Sequence, residues 1–308
     1  MNVNIMSLER TKPKLIDSHA HTQFSDYDGD RREVIERALG AGIWMVNSGA
    51  DMDSSEKAVK LAEQYKEGVY ATVGVHPSEK SAKIHDREFW QKLGELAKSD
   101  KCVAVGECGL EYFPDTSADD KRLQAELFEY QINLANEIGK PLVVHCRDAY
   151  DDLYEILKKN GNKLIPERSA LMHFFSGTVE YADRFLEMGF VFSFGGAATF
   201  TPKPGKTSLA EGPASTSLRG ESPTCLAPRR RRADFISLIK RLPIEAILIE
   251  TDCPYVTPVP LRGQRNEPSF VVHVANKIAE IKGISEREAA EATTENALRF
   301  FAIDGPSR

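Results

Sequence analysis

The stretch LIDSHAHTQF, residues 15–24, runs from an apolar start into two histidines spaced two apart. Successive side chains of an extended strand point to opposite faces, so His19 and His21 share a face while Ala20 takes the other. One metal ion can sit between two such imidazoles. An HxH pair on a surface strand also has an ordinary structural explanation, so the rest of the chain has to decide. Seven further runs repeat the apolar character: IWMVNSGA (43–50), VYATVGVH (69–76), CVAVGECG (102–109), PLVVHC (141–146), ALMHFF (170–175), FVFSFGGA (190–197) and AILIETDC (246–253).

Between the runs lie segments with helical spacing: Arg31–Leu39, Ser54–Tyr65, Glu88–Lys98, Ala125–Ile138, Tyr150–Lys158 and Val179–Glu187, with two more near Pro268–Ile281 and Glu286–Phe300. In the fourth and just ahead of it, Leu123, Leu127, Tyr130, Leu134 and Ile138 recur at three- and four-residue steps. Strands that read as nearly continuous apolar runs are buried on both faces, and eight of them alternating with helices predict a (β/α)8 TIM barrel, an α/β fold. A doubly wound open sheet is the alternative, but it needs a Gly-rich phosphate turn after an early strand, and none is present.

Composition agrees with a single barrel domain. Hydrophobic residues make up 41% and charged residues 28% of the 308, enough to build a large core. No run approaches the roughly 20 apolar residues that span a bilayer. The opening MNVNIMSLERTKPK has no apolar signal core, so a cytoplasmic protein is expected. The five cysteines fall mostly inside apolar runs, which predicts buried thiols rather than a disulfide framework. A net charge of −6 argues against a broadly basic surface that coats nucleic acid, but leaves room for a local phosphate site.

The residues that close the runs carry the chemistry. His19 and His21 end the first, His76 the third, Glu107 the fourth, His145 the fifth, His173 the sixth and Asp252 the eighth. That is the end of a barrel strand at which active sites are built. Imidazole and carboxylate donors suit Zn²⁺, Mn²⁺ or Fe²⁺. Six donors exceed what one tetrahedral catalytic ion uses. Two ions are therefore expected, with His19, His21 and Asp252 on one, His145 and His173 on the other, and Glu107 between them. Such a pair generates a metal-bound hydroxide near neutral pH and clamps both oxygens of an in-line displacement at phosphorus, with Asp252 placed to take the proton. His85 is expected to be a surface residue.

The signatures SHAH, GVHP, GECGL, VVHCRDA, HFFSG, ETDCPY and RGQRNEP, in this order, resemble those of the TatD family of metal-dependent deoxyribonucleases in the amidohydrolase superfamily. The resemblance covers residues 14–303. It implies a (β/α)8 barrel, two divalent metal ions (Zn, Mn or Mg) held by His19, His21, Glu107, His145, His173 and Asp252, and catalytic roles for Asp252 and Glu107. It also implies DNA as substrate, cleaved at phosphodiester bonds from single-stranded or 3′ ends in the 3′-to-5′ direction. His76 would stabilise charge on a phosphate oxygen, and Arg265 would either contact a phosphate or brace its loop against a carboxylate. Arg147 and Asp148 would tie the fifth strand to its helix. Two readings compete with the nuclease: an ester hydrolase such as a D-aminoacyl-tRNA deacylase, and a metal-stabilised binding protein without turnover. The chain departs from the family pattern in two places. Ser78 stands where many relatives carry another residue, and a Pro/Ser/Gly-rich stretch, 201–232, holds five of the sixteen prolines and ends in Arg229–Arg232. Its 203–230 portion is expected to be a disordered insertion, with a substrate lid or an error in the sequence as the other readings.

Overall fold

The structure, a computed structural model, describes residues 12–79, 85–166, 169–200 and 235–303. The expected insertion at 203–230 and the arginine run lie outside them. Eight strands alternate with helices: β1 (Leu15–Ala20), α1 (Arg31–Gly40), β2 (Ile43–Ser48), α2 (Met52–Glu63), β3 (Val69–Val73), α3 (Arg87–Ala97), β4 (Cys102–Glu111) and α4 (Ala118–Ile138). The second half continues with β5 (Leu142–Arg147), α5 (Tyr150–Lys159), β6 (Ala170–Met172), α6 (Val179–Glu187), β7 (Val191–Phe194), α7 (Phe235–Arg241), β8 (Ile247–Ile249), α8 (Val271–Lys282) and α9 (Glu286–Phe301). All neighbouring strands pair in parallel in the order β1 to β8, so the expected TIM barrel is the fold.

Every residue of β1, β2 and β4 is buried, which is why these strands lack polar alternation. One set of apolar side chains, including Met45, Val73, Val144, Met172 and Phe192, packs in the large core with the helices. Another set packs with α9. Ile16, Trp44, Val103, Leu171 and Leu248, each the second residue of its strand, join Ala297, Phe300 and Phe301 there. α9 thus plugs the N-terminal end of the barrel. Asn296 reinforces the plug by donating to the carbonyls of Ile244 and Ile247.

Helix ends follow local chemistry. α4 begins at Ala118, ahead of the apolar period, because the Ser117 side chain accepts from Asp120 N–H and two aspartates sit in the first turn. Among the described residues α7 covers seven positions, too few to show a period in sequence. Ser285 and Glu288 form a reciprocal capping box that starts α9.

The seam between the first and last strands differs from the others. It is closed by an isolated bridge, Ala20 to Cys253, rather than a continuous ladder. Asp252 N–H donates to His19 O at 2.9 Å and His21 N–H to Cys253 O at 2.9 Å. Just before them, the buried Asp17 carboxylate accepts from Thr251 N–H (2.9 Å) and Thr251 Oγ1 (2.5 Å). No helix of the described residues is long and apolar enough to cross a membrane.

Candidate metal centre

Parallel strands deliver their last residues to one mouth of the barrel, and there Glu107 becomes the hub. β4 can bring it to the centre because its glycines allow a close approach to β5: a Cβ on Gly106 would collide with Val143, and one on Gly109 with the His145 carbonyl oxygen. Both glycines have positive φ, 149° and 130°. Four imidazoles face the Glu107 carboxylate. His19 Nε2 stands 3.5 Å from Oε2, while His145 Nδ1 (2.9 Å), His76 Nε2 (3.4 Å) and His173 Nε2 (3.5 Å) surround Oε1. Asp252 Oδ1 lies 3.6 Å from His21 Nε2 and 3.9 Å from His19 Nε2.

Partners behind each ring identify which nitrogen faces the centre. His21 Nδ1 is 2.9 Å from the Ser48 carbonyl oxygen, which can only accept, so Nδ1 carries the proton and Nε2 turns a lone pair inward. His173 Nδ1 donates in the same way to the Glu250 carboxylate at 3.1 Å. Ser48 Oγ meets His19 Nδ1 at 3.1 Å. His76 is the opposite tautomer. Its Nδ1 accepts from Ser78 N–H at 3.1 Å, which leaves the N–H on Nε2, aimed at Glu107. The rings of His19 and His173 stack with centroids 3.6 Å apart, and Phe24 stacks on His21 at 4.5 Å.

This donor set fits divalent cations. His19 Nε2 and His21 Nε2 converge at 3.1 Å beside Asp252, an arrangement that a positive ion relieves. Burial works against ionisation of Glu107, but the charges of His173 and His76 and the hydrogen bonds of His145 and His19 hold it well below the usual carboxylate range. Asp252 is likewise held low, burial being outweighed by the His21 hydrogen bond and the neighbouring imidazoles. Burial depresses His173, yet Glu250 and Glu107 push it up to about 10. Burial and the charge of His173 drive His19 down. Among the described residues, three groups are close enough to share an ion: His19, His21 and Asp252; His19, Glu107 and His173; and His76, Glu107 and His145.

All six residues expected as ligands therefore gather at one mouth, around Glu107. Within the cluster, however, His173 stacks on His19 while His145 stands next to His76, with 6.0 Å between the ring centroids of His145 and His173. Arg265 is engaged by the segment that follows β1. Its Nη2 pairs with Asp30 at 2.5 Å, Nη1 donates to Asp26 O at 2.6 Å, and its guanidinium covers the Tyr27 ring. Arg147 pairs with Glu111 of β4 rather than with α5. Phe175 is in the core, whereas Phe174 is partly exposed. His85 is exposed, and His273, in α8, also lies outside the cluster.

Two buried carboxylates escaped the sequence reading. Glu250 is fully buried, accepts from Ser193 Oγ and Phe174 N–H, and orients His173. Glu111 lies 3.5 Å from His145 Nε2. The available signal was spacing: Glu250 precedes Asp252 by two and Glu111 follows Glu107 by four on a strand. Cys102, Cys108, Cys146 and Cys253 are buried and unbridged, as expected of small apolar residues.

The model of the family described as TatD related DNase matches residues 16–302. The uncharacterized metal-dependent hydrolase YabD of Bacillus subtilis is 38% identical over 94% of this chain and 100% of its own length. The 3′-5′ ssDNA/RNA exonuclease TatD of Erwinia tasmaniensis is 31% identical, over 92% of this chain and 96% of its own. In three dimensions the TatD homologue YjjV of Escherichia coli superposes with a TM-score of 0.76 at 26% identity, covering 96% of this chain and 100% of that one. Family match, fold and donor cluster agree, and the chain belongs to the TatD family of metal-dependent hydrolases.

Proposed function

We propose that this hydrolase cleaves phosphodiester bonds in DNA, removing nucleotides from single-stranded 3′ ends with two divalent ions bound at the mouth. The observation that carries the reading is the convergence of His19, His21, His145, His173 and Asp252 around Glu107. The exonuclease names of relatives such as that of Erwinia tasmaniensis supply the substrate class. His19, His21 and Asp252 would hold one ion and His145 and His173 the other, with Glu107 beside both groups. Bound there, the ions supply Lewis acidity, neutralising phosphate charge and making an attacking water more acidic.

The chain's own residues do the rest. Asp252, with 19% of its side chain exposed, is the carboxylate in the cluster that solvent reaches best, and it takes the proton from the water that attacks phosphorus. The bond to the 3′ oxygen of the preceding nucleotide breaks. His76, held by Ser78 with its proton on Nε2, donates to a non-bridging phosphate oxygen as charge builds there. Glu250 and Ser48 fix the tautomers that aim the ligand nitrogens.

Replacing Asp252 by Asn lowers release of mononucleotides from Mn²⁺-supplemented single-stranded DNA by roughly 10²–10⁴-fold, the range of a lost general base. Undiminished release by the variant would remove Asp252 from this role. Intact DNA after incubation with metal-loaded wild-type protein, where a control nuclease cleaves, would overturn the nuclease reading itself.

A further inference from the structure

At the β4–β5 rim of the mouth a polar chain runs outward from His145 through two residues, Glu111 and Arg147, that the ligand set does not use. Register places Gly109 opposite His145 and Glu111 opposite Arg147. His145 and Arg147, two residues apart on β5, share a face. Glu111 is buried, yet one of its oxygens, Oε1, has two nitrogen neighbours. Arg147 Nη1 sits 3.1 Å away and His145 Nε2 3.5 Å away. The arginine holds the better contact. His145 Nε2 is a buried atom that has no aligned hydrogen-bond partner among the described residues, although its other nitrogen is 2.9 Å from Glu107. At the outer end, Arg147 has 55% of its side chain exposed and lies 5.6 Å from the ring centroid of Phe113, itself 43% exposed.

We propose that Glu111 is a positioning residue for His145 and that Arg147 contacts a substrate phosphate, the two being coupled because Arg147 and His145 share Glu111 Oε1. The Glu111 half stands on the donor cluster alone; the Arg147 half rests on the nucleic-acid reading above. A carboxylate accepting from Nε2–H fixes the imidazole tautomer that turns the Nδ1 lone pair to the centre, and such partners govern how tightly a ligand histidine holds its ion. A guanidinium prefers the charge-assisted fork that a phosphate offers. When Arg147 swings to a phosphate, Oε1 is left to His145 and the metal centre tightens. By linkage, ions at the centre then strengthen substrate binding to the same degree. The exposed face of Phe113 beside that phosphate gives a neighbouring base a surface to stack on.

A simple tie between β4 and β5 predicts that loss of either partner harms the centre alike. Coupling predicts opposite signs. In calorimetric titrations of the full-length protein with Mn²⁺, Glu111→Gln weakens one binding event roughly 10–100-fold. Arg147→Met tightens the same event by about two- to fivefold and weakens binding of a phosphorothioate-linked pentathymidylate about tenfold, as expected for a lost charge-assisted contact. Saturating wild-type protein with that oligonucleotide tightens its Mn²⁺ binding. Wild-type Mn²⁺ affinity in Glu111→Gln, weakened affinity in Arg147→Met, or a wild-type protein that binds no Mn²⁺ overturns the proposal. If Glu111→Gln does not fold, as judged by circular dichroism, the sign of the Arg147→Met response decides. A wild type that binds Mn²⁺ but cleaves no DNA removes the nuclease reading and leaves the Glu111–His145 link to stand on the Glu111→Gln titration.

Discussion

The two ends of this barrel are built from the same strands and have opposite chemistry. At the N-terminal end the second residues of five strands are Ile16, Trp44, Val103, Leu171 and Leu248, closed over by Phe300 and Phe301 of α9. At the other end the strands finish in histidines and carboxylates, backed by buried polar partners such as Glu250 and Ser48. One end gains free energy by excluding water from apolar surface. The other spends some of it by gathering charged groups under cover, which is tolerable only because each has a partner. Stability and chemistry are thus separated along the barrel axis, and substitutions at the two ends should change different observables.

The largest expected effect is on the plug. Phe300→Ala removes a buried ring and should lower the unfolding free energy by about 3–5 kcal/mol in urea denaturation. The folded fraction should still bind Mn²⁺ as the wild type does, and a parallel loss of metal affinity would mean that the two ends are not independent. Glu250→Gln should act the other way. It should weaken metal binding by roughly 10–100-fold while the urea midpoint moves far less than in Phe300→Ala. If stability collapses instead, the buried Glu250–His173 pair is structural first.

Arg265→Ala probes the rim between these extremes. Its pair with Asp30 is partly exposed on both sides, so about 1 kcal/mol or less of stability should be lost, with KM for single-stranded DNA unchanged. A raised KM at unchanged stability would show that Arg265 leaves Asp30 for the substrate and belongs with the mouth's chemistry.

The fold was legible because parallel barrel strands are buried on both faces and so stand out as continuous apolar runs. The residues that gather at the mouth were legible because a barrel places its chemistry at strand ends, so that position along each run singled them out. What sequence did not show is who meets whom across strands. That His145 neighbours His76 while His173 stacks on His19 depends on register and on shifts such as the one in β1 between Asp17 and Ala20, which no single strand encodes. Glu111 and Glu250 were missed for a related reason. A carboxylate reads as surface until the fold shows that it is buried with a histidine or an arginine against it. Arg147 was assigned to its own helix because nearness in sequence suggested it, whereas the register with β4 gives it Glu111.

The seam between β1 and β8 has a consequence for the making of the protein. His19 and His21 stand on one side of it and Asp252 on the other, so on the proposed ligand set the first ion is grasped by the start and the finish of the ring together. A chain still emerging from the ribosome, or cut short before residue 252, cannot assemble that grip. On the nuclease reading proposed above, hydrolytic power would then arrive only once Asp252 is in place, and a product cut short before it would be harmless to the nucleic acid around it.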